Sequence, residues 1–272
     1  MSVRSTAERS AAVALTAAHD VVASQTARSS HPTATNCGRG VEVAGVSKRF
    51  GAVQALESVD LVVPPGTVTA LVGRNGAGKS TLLRVLATSV LPDGGTAALS
   101  GHDVVADPGG ARRHLGLVLG DDRSFFWRLN GRQNLEFFGR LHGLRRAALA
   151  GRVEWALVSV ELTDVAERRV DRYSTGMRSR LGIARALLGD PSVLLLDEPT
   201  RSLDAVSTDT VRGLLLHFAK GEGAAVVLVT HDLREAATVA DEVVVLRDGC
   251  VADRQRPPFD AARLELAMVG GE

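Results

Sequence analysis

The stretch GRNGAGKS, from Gly73 to Ser80, has the residue types and spacing of a phosphate-binding loop, G-x-x-x-x-G-K-[ST]. Glycines let the backbone wrap around an anion, so that successive N–H groups and a helix N-terminus face the phosphate. Lys79 is placed to neutralise the β- and γ-phosphates, and the Ser80 hydroxyl to bind Mg²⁺. We therefore predict a nucleotide site formed by Gly73, Arg74, Asn75, Gly76, Ala77, Gly78, Lys79, Ser80 and Thr81.

Two carboxylates, Asp197 and Glu198, follow the apolar run VLLL. A carboxylate at the carboxyl end of a central parallel strand lies beside the phosphate loop in sheets of this kind, where Asp197 would hold Mg²⁺ through water. Glu198 alternates to another direction, which suits a base that polarises the attacking water. The alternative is a pair of acidic residues at an exposed strand end.

His231 ends a second apolar run, AAVVLVT, at the same edge of the predicted sheet. An imidazole there is placed to contact the γ-phosphate or to orient the catalytic water, although a lone histidine is often structural or solvated. Lys79, Glu198 and His231 form the predicted catalytic set.

A second glycine-containing turn, YSTGM, opens a predicted helix about a hundred residues after the first. Ser174 is a natural N-cap for a helix beginning near Thr175, and Gly176 leaves the N–H groups of the first turn exposed. This helix end is therefore a second anion site. One chain cannot easily bring both sites to one phosphate.

The elements that position these residues alternate between strands and helices, which predicts an α/β fold with a mostly parallel sheet covered on both faces. From Val41 the chain is rich in β-forming residues, and the middle third is helical. We predict a mobile N-terminal extension over residues 1–40, a core over 41–120 and 189–250, a helical subdomain over about 121–188, and a short tail over 251–272.

Composition narrows the function classes. The 272 residues include 32 Lys and Arg and 31 Asp and Glu, for a formal charge of +1. Such a balance gives no broad basic field, so we expect no nucleic-acid partner. The apolar runs are too short to span a bilayer, so the chain is not expected to cross a membrane by itself. Cys37 and Cys250 lie far apart, which predicts free thiols in a reducing cytosol.

Taken in order, the motifs from Val41 to about Val251 resemble those of the ABC ATPases, whose signature motif is usually LSGGQ and here reads YSTGMRSRL. The resemblance implies a P-loop NTPase fold with an antiparallel β subdomain and an inserted helical subdomain. It also implies hydrolysis of ATP with Mg²⁺ by two subunits packed head to tail. Ser174 and Gly176 would then complete the site on the partner subunit.

The same resemblance assigns further residues. Phe50, in SKRFG, matches the aromatic residue that stacks on adenine, with ordinary strand packing as the alternative. Ser202 and Asp204, in SLDA, match the loop that communicates across the dimer.

Two departures from the family pattern accompany the resemblance. Thr175 and Met177 replace the usual Gly and Gln of the signature, while Ser174 and Gly176 are retained. Asp121 stands where the family places a magnesium-contacting glutamine. A carboxylate is a suitable ligand for Mg²⁺, but it is shorter and brings negative charge towards a triphosphate. The predicted metal ligands are Ser80, Asp197 and Asp121.

The aromatic cluster Phe125 to Trp127 lies where the family forms a groove for a short helix of the membrane subunit. Aromatics beside Arg128 suit an interface hot spot, or two of the three fill the core of the helical subdomain.

The resemblance implies the ATP-binding subunit of an ABC transporter, acting as a homodimer at the cytoplasmic face of the cell membrane through a separate permease. The segment around Phe125 to Trp127 and the signature variant favour export of a drug, lipid or polysaccharide. The alternatives are a soluble ABC ATPase acting on ribosomes or DNA, a weakly hydrolysing half of a heterodimer, and a phosphotransferase with the same loop. The transported substrate is set by the permease.

Overall fold

The computed structural model describes residues 40–120, 124–201 and 203–270. The described chain divides into two compact units. The sheet unit contains residues 40–117, 192–198 and 218–270, and the helical unit contains the described parts of 118–191 and 199–217. Residues 1–39, Asp121 and Ser202 lie outside the described residues, so the predictions made for them stay predictions.

The larger sheet has six strands in the order β10-β9-β3-β8-β7-β6. Its strands are β3 (Val68–Val72), β6 (Leu115–Val118), β7 (Val193–Asp197), β8 (Ala225–Val229), β9 (Glu242–Arg247) and β10 (Cys250–Gln255). Strand β3 runs parallel to β8 and β9, β7 runs parallel to β8, and β10 pairs antiparallel with β9. Strands β3 and β8 are buried along their whole length, as expected of central parallel strands.

A second, four-stranded sheet has the order β2-β1-β4-β5, and its pairings are antiparallel. Its strands are β1 (Val41–Phe50), β2 (Val53–Val63), β4 (Gly94–Leu99) and β5 (His102–Asp103). The mixed parallel core and the antiparallel sheet confirm the predicted α/β fold class.

Helices cover both faces of the larger sheet. They are α1 (Lys79–Leu86), α7 (Leu233–Val239) and α8 (Ala261–Val269). A short helix, α2 (Pro108–Arg113), contacts β5 of the smaller sheet. Alternate residues of β9 enter different clusters: Val244 packs in the cluster that contains Leu82 of α1, whereas Val243 packs with Ala236 of α7 and Leu264 of α8. Because successive strand side chains point to opposite faces, the two clusters lie on the two sides of the sheet.

The helical unit contains α3 (Gly131–Leu141), α4 (Arg146–Ser159), α5 (Thr175–Ala186) and α6 (Ala205–Leu216). Helices α3, α4 and α5 pack against one another. The predicted helical subdomain ended near residue 188, but the compact unit also takes in Pro199–His217. Hydrogen bonds explain this difference, because Ser179 Oγ donates to Pro199 O at 2.8 Å and Thr210 Oγ1 to a Glu161 carboxylate oxygen at 3.4 Å.

The segment predicted as a short tail after residue 250 is an integral part of the sheet unit. Strand β10 extends the sheet, and Leu264 of α8 is 1% exposed in the cluster beneath it. Among the described helices, none has both the length and the hydropathy that a bilayer span requires.

Candidate active site

The loop Gly73 to Ser80 joins β3 to α1, in the strand-loop-helix context predicted for it. Gly78 is the N-cap of α1 with φ 103°, and a Cβ there would lie 2.5 Å from Ala55 O. Gly76 has φ 84°, which L residues rarely adopt. The loop therefore requires glycine at these positions, and the concave backbone fits a phosphate group.

Lys79 is held over this loop. Its Nζ donates to Gly73 O at 2.7 Å and to Arg74 O at 3.0 Å, and the residue is 7% exposed. Burial lowers the pKa of Lys79, against the opposing charges of Glu198 and Asp197. A lysine with its charge so placed is suited to neutralise a bound phosphate.

Asp197, at the end of β7, lies against Ser80 at the start of α1, as the sequence predicted. Ser80 Oγ donates to Asp197 Oδ2 at 3.2 Å. Burial raises the pKa of Asp197, and the hydrogen bond from Ser80 acts in the opposite direction. A hydroxyl beside a partly desolvated carboxylate is an oxygen donor set that fits Mg²⁺. Among the described residues, no group of three or more histidine, cysteine, aspartate or glutamate side chains could hold a metal ion.

Glu198 follows β7 directly and pairs with His231. His231 Nδ1 lies 2.9 Å from Glu198 Oε1. An ionised carboxylate only accepts hydrogen bonds, so Nδ1 carries the proton in this pair. The backbone at Glu198 has φ 47°, and its N–H donates to Val229 O at 2.9 Å. Such backbone conformations are strained and concentrate at functional sites. The pair thus joins the ends of two adjacent strands, β7 and β8.

Phe50 ends β1 and is 47% exposed, with Lys48 Nζ 5.4 Å from its ring centroid. It pairs with Val53, at the start of β2, and the nearby residues Ala55 and Leu56 approach Gly78. The ring is therefore accessible on a hairpin that reaches the glycine loop. Strand packing, the alternative for Phe50, does not bury it.

In the helical unit, Ser174 is the N-cap of α5, and its Oγ accepts from Met177 N at 3.1 Å. Tyr173 fixes the preceding turn, because its hydroxyl donates to Val165 O at 2.8 Å and its carbonyl accepts from Arg178 at 2.7 Å. Gly176 lies half-buried in the first turn. These hydrogen bonds hold the turn that opens α5, whose first N–H groups are of the kind that face an anion.

Asp204 is the N-cap of α6 and accepts from Ser207 N at 2.8 Å. This backbone hydrogen bond lowers the pKa of Asp204. The hydrogen bond to Ser207 lies within the first turn of α6. The predicted role of Asp204 in communication across a dimer stays a prediction.

A phosphate loop with its lysine, two strand-end carboxylates and a capped glycine-containing helix occur together in this chain. The family model described as "ABC transporter" matches residues 56–201, more than half of the chain. The chain belongs to the ABC transporter family. It is the ATP-binding subunit of an ABC transporter, and its reaction is the hydrolysis of ATP.

Named relatives of this ABC subunit include both drug-resistance and import proteins. The daunorubicin resistance ATP-binding protein DrrA3 of Streptomyces coeruleorubidus is 44% identical over 237 residues, which are 84% of this chain and 73% of that protein. The sulfate/thiosulfate import ATP-binding protein CysA of Mycobacterium bovis is 41% identical over 230 residues, 84% of this chain and 65% of that protein.

Among solved structures, the ABC subunit resembles the dimeric post-hydrolysis state of the ATP-binding cassette MJ0796 bound to ADP and Pi. The TM-score is 0.73 at 26% identity, covering 81% of this chain and 100% of that chain. The predicted ABC ATPase fold and activity are confirmed.

Sequence reasoning about the ABC subunit missed Thr230 and Glu235, on either side of His231. They are 2% and 3% exposed. Glu235 follows the N-cap Asp232 by three residues, a spacing typical of a solvent-facing carboxylate in the first turn of a helix. Its burial could be read only from the packing.

The aromatic cluster of the ABC subunit is divided between core and surface. Phe125 is 4% exposed, whereas Phe126 and Trp127 are each 45% exposed. The Arg178 guanidinium lies 5.5 Å from the Trp127 ring centroid, so this exposed indole is connected to the signature helix α5.

Proposed function

We propose that this subunit powers export of a daunorubicin-type drug through a separate permease at the cytoplasmic face of the membrane. The 44% identity to a daunorubicin resistance protein carries the proposal. The helical unit adds an exposed apolar surface, formed by Phe126, Trp127 and Phe137, which suits a permease segment.

The residues of the sheet unit have distinct roles in the proposed reaction. Lys79 and the loop N–H groups bind the phosphates, and Ser80 and Asp197 are the residues that would hold Mg²⁺. When bound, Mg²⁺ supplies positive charge that stabilises the transferring phosphoryl group. Glu198 accepts the proton of the attacking water, and His231 holds that carboxylate through the hydrogen bond of 2.9 Å.

We place the signature helix on the partner's nucleotide, in a homodimer. Two helix ends, those of α1 and α5, have the sequence pattern of an anion site. The ATP-binding cassette MJ0796, whose solved structure this chain resembles, is dimeric. The N–H groups beside Ser174 and Gly176 would then face the γ-phosphate held by the other copy. Phe50 would stack on the adenine.

The experiment is light scattering after size-exclusion chromatography on the Glu198→Gln protein, with and without ATP. We expect a monomer without ATP and a dimer with it. Adding Ser174→Ala should weaken ATP-dependent dimerisation. Asp260→Ala, which removes the N-cap of α8 instead, is the matched control and should leave it intact. A protein that binds ATP but stays monomeric would contradict the homodimer.

Drug transport is tested in membrane vesicles that contain the chain together with a co-expressed permease. We expect inverted vesicles to accumulate daunorubicin when ATP is added. Vesicles that contain the Glu198→Gln variant should not accumulate it. Vesicles that hydrolyse ATP without moving daunorubicin would reject the substrate class and leave the ATPase assignment standing.

Import of an oxyanion is a second candidate, because the sulfate/thiosulfate import protein is 41% identical. The same inverted vesicles distinguish import from export. ATP-dependent release of sulfate from the vesicles, with no accumulation of daunorubicin, would favour import.

A further inference from the structure

Two buried polar side chains flank His231 and bond to each other. Thr230 Oγ1 donates to Glu235 Oε2 at 2.6 Å. Both residues are buried. Few other polar side chains in the described part of the chain are buried. Burying a carboxylate is costly unless it is hydrogen-bonded, so this arrangement must be stabilised by specific contacts.

The bond between them holds the turn that carries His231. Thr230 also accepts through Oγ1 from Asp232 N–H at 3.1 Å, so its hydroxyl is used both as donor and as acceptor. Thr230 N–H donates to Leu71 O of β3 at 3.2 Å, and Glu235 belongs to the first turn of α7. The turn is therefore tied at one end to the central sheet and at the other to a helix.

Packing does not position the imidazole itself, because the His231 side chain is 60% exposed while its partner Glu198 is 17% exposed. Its location is set by the backbone between Thr230 and Asp232 and by the hydrogen bond to Glu198. A rotation of this turn would move Nδ1 out of hydrogen-bonding range of Glu198 Oε1, because range and angle are narrow.

We infer that Thr230 and Glu235 are positioning residues for ATP hydrolysis, which hold His231 against Glu198 through the buried hydrogen bond. The inference rests on the proposed role of His231. Neither residue touches the reacting atoms. Their effect on turnover passes through the orientation of the imidazole.

The test compares Thr230→Val, which keeps the side-chain shape but removes the hydroxyl, with Thr230→Ser, which keeps the hydroxyl. Each is made in the full chain with His231 present and in the His231→Ala background. ATP turnover, ATP affinity and thermal stability are measured for each protein. Misplacing a catalytic group by about 1 Å costs up to roughly 100-fold in rate.

We expect Thr230→Val to lower kcat by about 10- to 100-fold with ATP affinity unchanged, and Thr230→Ser to stay near the wild-type value. In the His231→Ala background, Thr230→Val should lower kcat no further, since residues that act as a unit are not additive. Glu235→Gln keeps an acceptor oxygen and should retain activity, whereas Glu235→Met, of similar length, should resemble Thr230→Val.

Three results would overturn the inference. The first is a wild-type kcat for Thr230→Val beside a low kcat for His231→Ala, which removes the positioning role alone. The second is an equal loss from Thr230→Val in both backgrounds, which indicates a structural role only. The third is a wild-type kcat for His231→Ala, which removes His231 from the proposed function. If Thr230→Val does not fold, Glu235→Met in both backgrounds decides the question by the same comparison.

Discussion

Glu198 combines the properties that a general base for hydrolysis needs. Its side chain is 17% exposed, it faces an imidazole, and its backbone is fixed to the neighbouring strand by the bond to Val229 O. Its backbone has φ 47°, a strained conformation for a residue other than glycine. The Glu198 carboxylate faces His231, whereas that of Asp197 accepts from Ser80. The two adjacent carboxylates thus have different hydrogen-bond partners, as the different roles proposed for them require.

Replacing Glu198 by Gln removes the proton acceptor but keeps the size and the hydrogen-bonding oxygen. We expect ATP turnover to fall by roughly 10²- to 10⁴-fold, the usual scale for a general base, with ATP affinity unchanged. Single-turnover hydrolysis and equilibrium ATP binding measure the two quantities. Glu136→Gln, on α3, is the control and should hydrolyse ATP normally; an unchanged rate in Glu198→Gln would exclude this residue as the base.

Asp197 is proposed to bind Mg²⁺, and this role needs an ionised carboxylate. The carboxylate is nevertheless partly buried. Burial raises its pKa above 3.8, so the folded protein holds this proton more readily than the unfolded chain does. At pH values above the folded pKa, the ionised carboxylate therefore lowers the free energy of unfolding. As pH falls through the folded pKa, that loss of stability disappears.

Asp197→Asn should accordingly raise the Tm of the nucleotide-free protein at pH 7.5 while abolishing Mg²⁺-dependent hydrolysis. The amide oxygen can still accept the hydrogen bond from Ser80. Thermal unfolding at pH 7.5 and again in acid, where the wild-type carboxyl is protonated, measures the effect. The difference in Tm should vanish in acid, and a lower Tm at pH 7.5 would contradict the burial argument.

At the scale of elements, helix α5 is held at both ends. Ser174 caps its start, and Arg152 of α4 donates to Leu187 O at 2.6 Å just beyond its end. Leu181 and Ile183 are buried between these points. The proposed anion site at the start of α5 is therefore preorganised, because no helical turn would have to order around a phosphate there.

The exposed indole of Trp127 contacts Arg178 of helix α5. Trp127→Ala should weaken binding of the permease while leaving ATP affinity unchanged, because the ring lies on the helical unit and the glycine loop on the sheet unit. Co-purification with the permease measures assembly, and filter binding measures ATP affinity.

Leu141→Ala is the matched control for Trp127. Leu141 is 69% exposed at the end of α3 and should be dispensable for assembly. Unchanged assembly in Trp127→Ala would reject the docking surface.

At the scale of the whole molecule, two partly desolvated histidines, one in each unit, couple folding to pH. Burial lowers the pKa of His142 in the helical unit, and the charge of Arg185 adds to the effect. Burial likewise lowers the pKa of His114 in the sheet unit, with His102 and Arg113 contributing. The folded protein therefore binds these protons less readily than the unfolded chain, whose reference pKa is 6.5.

Both histidines are neutral in both states well above pH 6.5, so they affect stability only as pH falls below that value. We expect the free energy of unfolding to decrease from about pH 6.5 downwards, and His142→Gln to reduce this slope. Urea unfolding between pH 7.5 and pH 5.5 provides the measurement. A His142→Gln slope equal to that of the wild-type protein would contradict the assignment.

Much of the fold followed from the sequence because its signals are local. The glycine loop lies between β3 and α1, and Ser174 caps α5, as their neighbouring residues predicted. The C-terminal segment was harder to predict, because whether β10 pairs with β9 depends on a sheet edge built elsewhere in the chain. The boundary of the helical unit was incomplete for the same reason, since Ser179 binds Pro199 across 20 residues.

The sequence by itself determined the candidate groups of the nucleotide site: motif spacing and strand ends predict Lys79, Ser80, Asp197, Glu198 and His231. Only the tertiary structure decided how they are supported. The strand order β3-β8-β7 brings His231 to Glu198 across 33 residues, and packing buries Glu235 against Thr230 but leaves Trp127 exposed. The reason is physical: residue type and spacing encode local geometry, whereas burial depends on which distant elements become neighbours.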